Sequence, residues 1–218
     1  MSKTKIYLDV LSRQQKELLP QLRFLKKERF YLAGGTALAL QIGHRTSADF
    51  DFYSPNLFKS KALFKEFLEN TKEVQKLQEA WGTLILKLGN VETSLFYYDY
   101  PLLKTPFGIS AGINLSSIED IAAMKIEAII QRGTKRDFID IYFLLQELNL
   151  KKILRLCQKK YAKVFNVYQA LLALLYFEDA EQEGEEKRYK LLKDCSWEEI
   201  KFFIKEAVRQ FKEEEVNK

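Results

Sequence analysis

Histidine is almost absent from this chain: His44 is the only one among 218 residues. No His–His metal site can be assembled from it, and Ser54 and Ser116 have no base near them in sequence, which argues against a Ser–His–Asp nucleophile. Cysteine is nearly as scarce. The two present, Cys157 and Cys195, form no metal-type spacing and fit a reducing, cytoplasmic setting. Long apolar runs are missing as well. None approaches the roughly 20 residues a membrane span needs, and the opening "MSKTKIYLDVLSRQQ" lacks the apolar core of a secretory signal. These absences leave a cytoplasmic globular protein with no membrane partner. A hydrophobic content of 47% and this length fit one domain or two small ones.

Charge is unevenly spread. The net charge is +5, yet residues 178–186, "EDAEQEGEE", hold six acids and no base. The rest of the chain is correspondingly more basic, which suits a polyanionic partner without requiring one.

Periodicity divides the chain near residue 115. Residues 8–27 read as helix broken at Pro20, which suits the first turn of a new helix. "RFYLA" (29–33) reads as a strand punctuated by Gly34 and Gly35, followed by a helix over 36–42. "DFDFY" (49–53) alternates polar and apolar residues, the mark of a strand with one buried face. An amphipathic helix over 59–70 precedes three strands, 74–80, 83–88 and 91–98, with hairpin turns at Gly82 and at Gly89–Asn90. From Ser116 onward the pattern is helical: 117–131, 135–148, 150–162, 166–177 and 197–214. Ser116 and Glu119 read as a capping box, and 178–187 as a solvated loop.

Within "LAGGTALALQIGHRTSADFDFYS" (32–54) two features stand out. Asp49 and Asp51 are two apart on a strand, so both side chains face one way, roughly 6–7 Å apart. Paired carboxylates repel unless a cation neutralises them, and Mg²⁺ prefers carboxylate oxygens together with substrate phosphates. A polar strand face meeting water is the plainer alternative. Gly34, Gly35 and Thr36 lie where a strand enters a helix, a turn whose exposed amides and dipole attract an anion. A close-packed turn with no ligand is the alternative there. Taken together, an anion-binding turn and an acid pair describe a site for a nucleoside triphosphate.

Two further features carry charge in unusual places. Lys125 falls on the apolar stripe of its helix with Ile118, Ile121 and Ile129. It must snorkel to water or meet an anion, and in a cleft that anion could be a triphosphate. Asp137 and Asp140, in "RGTKRDFIDIYFLL", sit at a helix start, where capping is an alternative to chemistry. "KKILRLCQKKYAK" (151–163) has six bases and no acid. Lys152, Arg155, Lys159 and Lys163 step along one helix face, either a strip for an RNA backbone or a solvated surface.

The blocks "FYLAGGTALALQIGHRTSADFDFYS" and "DIAAMKIEAIIQRGTKRDFIDIYFLL" resemble the nucleotidyltransferase AbiEii/AbiGii toxin family. The likeness covers roughly residues 25–150, and the ordered pair is far more specific than either block alone. The resemblance implies a polymerase-beta-like nucleotidyltransferase core, α/β (α+β) with a mixed sheet, over 1–115, and a C-terminal helical bundle over 116–218 that completes the active-site cleft. It implies an NTP substrate, Mg²⁺ or Mn²⁺, a hydroxyl acceptor such as tRNA or another RNA, and a cognate antitoxin in a toxin–antitoxin or phage-defence system.

Carried over by position, the resemblance makes Gly34, Gly35, Thr36, Arg45 and Ser47 nucleotide-binding. Asp49 and Asp51 become metal ligands and catalytic residues, Lys125 a triphosphate contact, and Asp137 the acid of the third block. One position departs from the pattern. Where polymerase-beta-like enzymes carry a third carboxylate, this chain has Ser94, with Glu92 and Asp99 near it. That departure favours the alternative of a catalytically weakened nucleotide-binding or protein-interaction module with the same fold.

Overall fold

In the computed structural model, which describes residues 5–182 and 189–216, a three-residue strand, β1 (Tyr31–Ala33), runs straight into helix α2 (Gly34–Ile42). Ahead of them lie a 3-10 turn at Leu8–Val10, helix α1 (Arg13–Leu18) and a 3-10 segment, Leu19–Lys26. Pro20 stands in the first turn of that segment, where its missing N–H costs nothing. A capping box that the sequence reading did not anticipate opens α1: Ser12 accepts from the Gln15 amide while the Gln15 side chain accepts from the Ser12 amide.

The remaining elements of the first half are β2 (Phe50–Ser54), α3 (Ser60–Asn70), β3 (Val74–Ala80), β4 (Thr83–Leu88), β5 (Val91–Tyr97), β6 (Phe107–Gly108) and β7 (Asn114–Leu115). The seven strands form one mixed sheet in the order β3-β4-β5-β2-β1-β7-β6. β2 runs antiparallel to β1 and parallel to β5. Alternation along β2 buries Phe50 and Phe52 completely and leaves Asp51 and Tyr53 half-buried. Register thus fixes which residues share the face of Asp51.

The helical half comprises α4 (Ile118–Gln131), α5 (Lys135–Glu147), α6 (Leu150–Tyr161), α7 (Val167–Leu175), α8 (Glu178–Gln182) and α9 (Trp197–Val216). The chain forms two units, one of Met1–Ser117 with Arg188–Leu192 and one of Ile118–Lys187 with Lys193–Lys218. Two expectations need correction. Glu178–Gln182, read as loop, is helical, and residues 183–187 of the acidic stretch lie outside the described residues. Ser116 caps nothing: its Oγ is buried without a hydrogen-bond partner, because α4 begins at Ile118 and the capping position has moved past it. None of the described helices is long and apolar enough to cross a membrane.

Candidate active site

The ladder places Ala33 opposite Asp51 and Asp51 opposite Ser94. Gly34 follows Ala33 directly and has φ +63°, a left-handed conformation that glycine adopts without strain. A Cβ on Gly34 would lie 3.0 Å from Asp51 Oδ2. The carboxylate therefore rests against the bare backbone that opens α2. No side chain caps that helix start, so its first amides face the same locality with their partial positive charge.

Arg45 closes the other side. Its guanidinium lies so near Gly35 that a Cβ there would meet Nη2. Arg45 is 3% exposed and donates from Nη1 to the Thr46 carbonyl at 3.0 Å. It stacks on Tyr189, its Cζ 5.7 Å from the ring centroid. Tyr189 arrives on a returning segment stitched to residues 44–46. The Thr46 amide donates to the Lys190 carbonyl, the Leu192 amide to the His44 carbonyl, and Arg45 bridges Leu191. The sequence reading missed this segment, since nothing local in "YKLL" signals a partner more than 140 positions earlier. His44 is fully buried, which suits a packing role beside Arg45.

Thr36 is 1% exposed, and its hydroxyl donates to the Asp49 carbonyl while lying 2.6 Å from Ser47 Oγ. The two hydroxyls tie the helix start to the loop that presents Asp49. Ser94 is 7% exposed beside Asp51, Glu92 is exposed opposite Lys87, and Asp99 is exposed past the strand end. Among the described residues, no three His, Cys, Asp or Glu side chains gather to hold a metal ion.

The second unit holds Lys125 and Asp137 together. Lys125 Nζ lies 2.8 Å from Asp137 Oδ1 and 2.6 Å from Asp140 Oδ2. Asp137 also accepts from Arg132 Nε at 2.9 Å and from Thr134 Oγ1 at 2.7 Å. Burial alone would raise its pKa, but the positive charges of Lys125 and Arg132 more than offset that and hold the carboxyl below the usual range. Of the basic stripe, Lys152, Arg155 and Lys159 are exposed, while the side chain of Lys163 lies outside the described ones. Two other lysines of that segment are engaged: Lys151 with Glu214 and Glu215, and Lys160 with Asp120.

The family model for "Nucleotidyl transferase AbiEii toxin, Type IV TA system" matches residues 18–89 and 97–214. The chain belongs to the AbiEii nucleotidyltransferase toxin family. It is a nucleotidyltransferase. An Aquifex aeolicus (strain VF5) protein, aq_aa25, is 37% identical over 210 residues, covering 93% of this chain and 98% of that one. The solved structure of the nucleotidyltransferase toxin MenT4 from Mycobacterium tuberculosis H37Rv superposes with a TM-score of 0.61 at 16% identity, over 89% of this chain and 80% of that one. JHP933 from Helicobacter pylori gives 0.53 at 18% identity, over 95% and 97%. ANT(2")-Ia, solved with adenylyl-2"-tobramycin, gives 0.51 at 15%, over 66% and 95%. These likenesses establish a shared fold. Of the acid pair, the ladder brings Asp51 beside the glycine turn, while Asp49 sits just ahead of β2 on the loop held by Thr36.

Proposed function

We propose that this AbiEii chain transfers a nucleoside monophosphate from an NTP to a hydroxyl of an RNA acceptor, releasing pyrophosphate, with Asp49 and Asp51 holding Mg²⁺ or Mn²⁺. The observation that carries this reading is the contact of Asp51 with Gly34. It sets a carboxylate beside the backbone amides that open a helix, an arrangement that suits a metal–triphosphate complex, the ion on the acid and the phosphate on the amides. Backbone amides at Gly35 and Thr36 and the Arg45 guanidinium are the donors for phosphate oxygens. Thr36 and Ser47 position Asp49 by fixing its loop.

The donor set fits one divalent ion: Mg²⁺ takes one or two carboxylates and completes its shell with phosphate oxygens and water. When bound, the ion neutralises charge on the transferring phosphoryl group and activates the attacking hydroxyl. The chain supplies orientation and fixed positive charge, which carry most of the catalysis in phosphoryl transfer. Ser94 in place of a third carboxylate means that a second ion is held weakly. Lys125 already meets two carboxylates, so a phosphate contact there would compete with them for its charge. Exposed Lys152, Arg155 and Lys159 support an RNA acceptor, and the toxin family supports a cognate antitoxin.

The experiment is incubation with each α-³²P-labelled NTP, Mg²⁺ and total RNA, with and without EDTA. Label should enter RNA, and Asp49→Asn with Asp51→Asn should abolish it. NTP binding without transfer to any acceptor would instead favour the catalytically weakened module, for which Ser94 is the supporting feature.

A further inference from the structure

The sheet face that carries Asp51 continues past the acids. Alternation turns Tyr53 to the same side as Asp51 in β2, and brings Ser94 and Phe96 to that side in β5. The ladder confirms the facing, because Asp51 pairs with Ser94 and Tyr53 with Phe96. Tyr53 lies 5.3 Å from Phe96 and 5.2 Å from Tyr98, ring centre to ring centre, and Tyr98 lies 5.0 Å from Tyr100. A step of two residues along a strand covers roughly 6–7 Å. The rings therefore begin one step from Asp51 and lead away from it. Phe50 and Phe52, on the opposite face, are wholly buried, whereas Tyr53, Phe96 and Tyr98 are half-buried and Tyr100 is 39% exposed. Core packing accounts for the first pair. Tyr53 also stacks on Tyr31, 6.3 Å away and 2% exposed, and the four rings pack on one another, yet each of the four keeps exposed surface.

We infer that Tyr53, Phe96, Tyr98 and Tyr100 form a nucleobase-stacking platform that holds the single-stranded 3′ end of the acceptor beside Asp51. The inference rests on the nucleotidyl-transfer reading and narrows its acceptor to an unpaired polynucleotide end. Aromatic rings stack on any base, so they hold a single strand without reading its sequence. An incoming nucleotide offers one base, but this run makes three ring-to-ring steps and suits the successive bases of a strand. A strand lying along it with its 3′ end toward β2 brings the terminal hydroxyl to the acids, where the attacking oxygen must be.

The test uses the full chain and a 5′-fluorescein single-stranded RNA of about twelve nucleotides, read by anisotropy against the same RNA in a blunt duplex. Tyr98→Leu with Tyr100→Leu keeps apolar bulk but removes the rings, and the matching Phe pair keeps them. Wild type should prefer the single strand. The Leu pair should bind it roughly tenfold more weakly, and the Phe pair should stay near wild type. The Leu pair should keep the wild-type salt slope, because no phosphate contact is lost, and the wild-type affinity for a non-hydrolysable Mg–NTP analogue. If the Leu pair folds poorly, Tyr100→Leu alone, at the exposed end, should still show part of the loss.

Equal RNA affinity in the wild type, the Leu variants and the Phe variants would overturn the platform and leave the rings as packing. Weakened NTP binding with unchanged RNA binding would also overturn it, by assigning the rings to the incoming base. Ring-dependent RNA binding in a protein that transfers no nucleotide would sink the transfer reading and leave the platform standing.

Discussion

Lys125 Nζ sits 2.6 Å from Asp140 Oδ2, with the lysine side chain 7% exposed and the aspartate at 0%. This contact and the one to Asp137 join α4 to α5 through charge in a place that sequence marks as apolar. Removing one partner of a buried pair leaves the others uncompensated and costs about 3–5 kcal/mol. Lys125→Met should therefore lower the unfolding free energy read from urea titration by that amount. Adding Asp137→Asn and Asp140→Asn should recover part of the loss, because both buried carboxylates that faced the lysine are then neutral, and Arg132, which loses Asp137, is more than half exposed. A Lys125→Met protein of wild-type stability with weakened NTP affinity would place Lys125 on phosphate instead.

Acid should strip the same cluster. The ordinary aspartate value is 3.8, and Asp137 lies below it in the fold. A carboxyl whose folded pKa is depressed adds stability that is complete above its unfolded pKa and is lost as pH falls through the folded one. The stability gap between wild type and Asp137→Asn should therefore be constant above about pH 5 and should shrink as pH drops below 4. Urea titrations at several pH values read it directly. A gap that stays constant down to pH 2 would show that Asp137 gains nothing from its cationic neighbours.

Much of the first unit was legible in sequence because its signals are local. Alternation at 49–53 and glycine punctuation at 34–35, 82 and 89 locate β2, the α2 start and the hairpins to within one or two residues, although Asp49, expected on the strand, lies just before it. Strands β6 and β7 were missed because two residues cannot display a period. The buried charges were illegible for another reason. Asp120 and Lys160 lie 40 positions apart, and nothing local to either marks a partner; only the packing of α6 on α4 brings them to 2.8 Å. Likewise, the acid pair and the glycine turn were readable as separate features. That Arg45 abuts Gly35 under a ring from Tyr189 depends on pairing between distant segments, which no local pattern encodes.

Gly35 offers a sharp test of the nucleotide site. A Cβ at this position would overlap Arg45 Nη2, and Arg45 is nearly buried and stacked on Tyr189. Gly35→Ala should displace the guanidinium, weaken NTP binding about tenfold or more through the lost charge-assisted contact, and cost only modest stability. Isothermal titration with an NTP analogue reads the affinity, and thermal melting reads the fold. Unchanged affinity would remove Arg45 from the list of phosphate donors.

Asp49→Asn with Asp51→Asn should keep the fold, because Asn matches Asp in size and in its accepting oxygen, while nucleotidyl transfer disappears. The same variant should lose any stabilisation that Mg²⁺ gives the wild type in a thermal melt, since a ligand binding only the folded state raises its apparent stability. Transfer at wild-type rates by the double variant would end the metal-site assignment.

Lys159 and Lys160 are adjacent in sequence and opposite in environment, which separates RNA contact from folding in one helix. Lys159 is exposed with Lys152 and Arg155, whereas Lys160 is buried with Asp120, both side chains at 0% exposure. Reversing Lys152 and Lys159 to Glu should leave the melting temperature nearly unchanged, because surface charges contribute little to stability. It should weaken tRNA binding and make its salt dependence shallower by about one to two units of slope, as each lost phosphate contact releases fewer counterions. Lys160→Glu should instead set two carboxylates together without solvent and destabilise α4 against α6 by about 3–5 kcal/mol or more. Filter binding at several salt concentrations and thermal melts of all three proteins separate the outcomes. Equal salt slopes for wild type and the Lys152/Lys159 variant would reduce that stripe to a solvated face and shift the search for the RNA contact to the aromatic face beside Asp51.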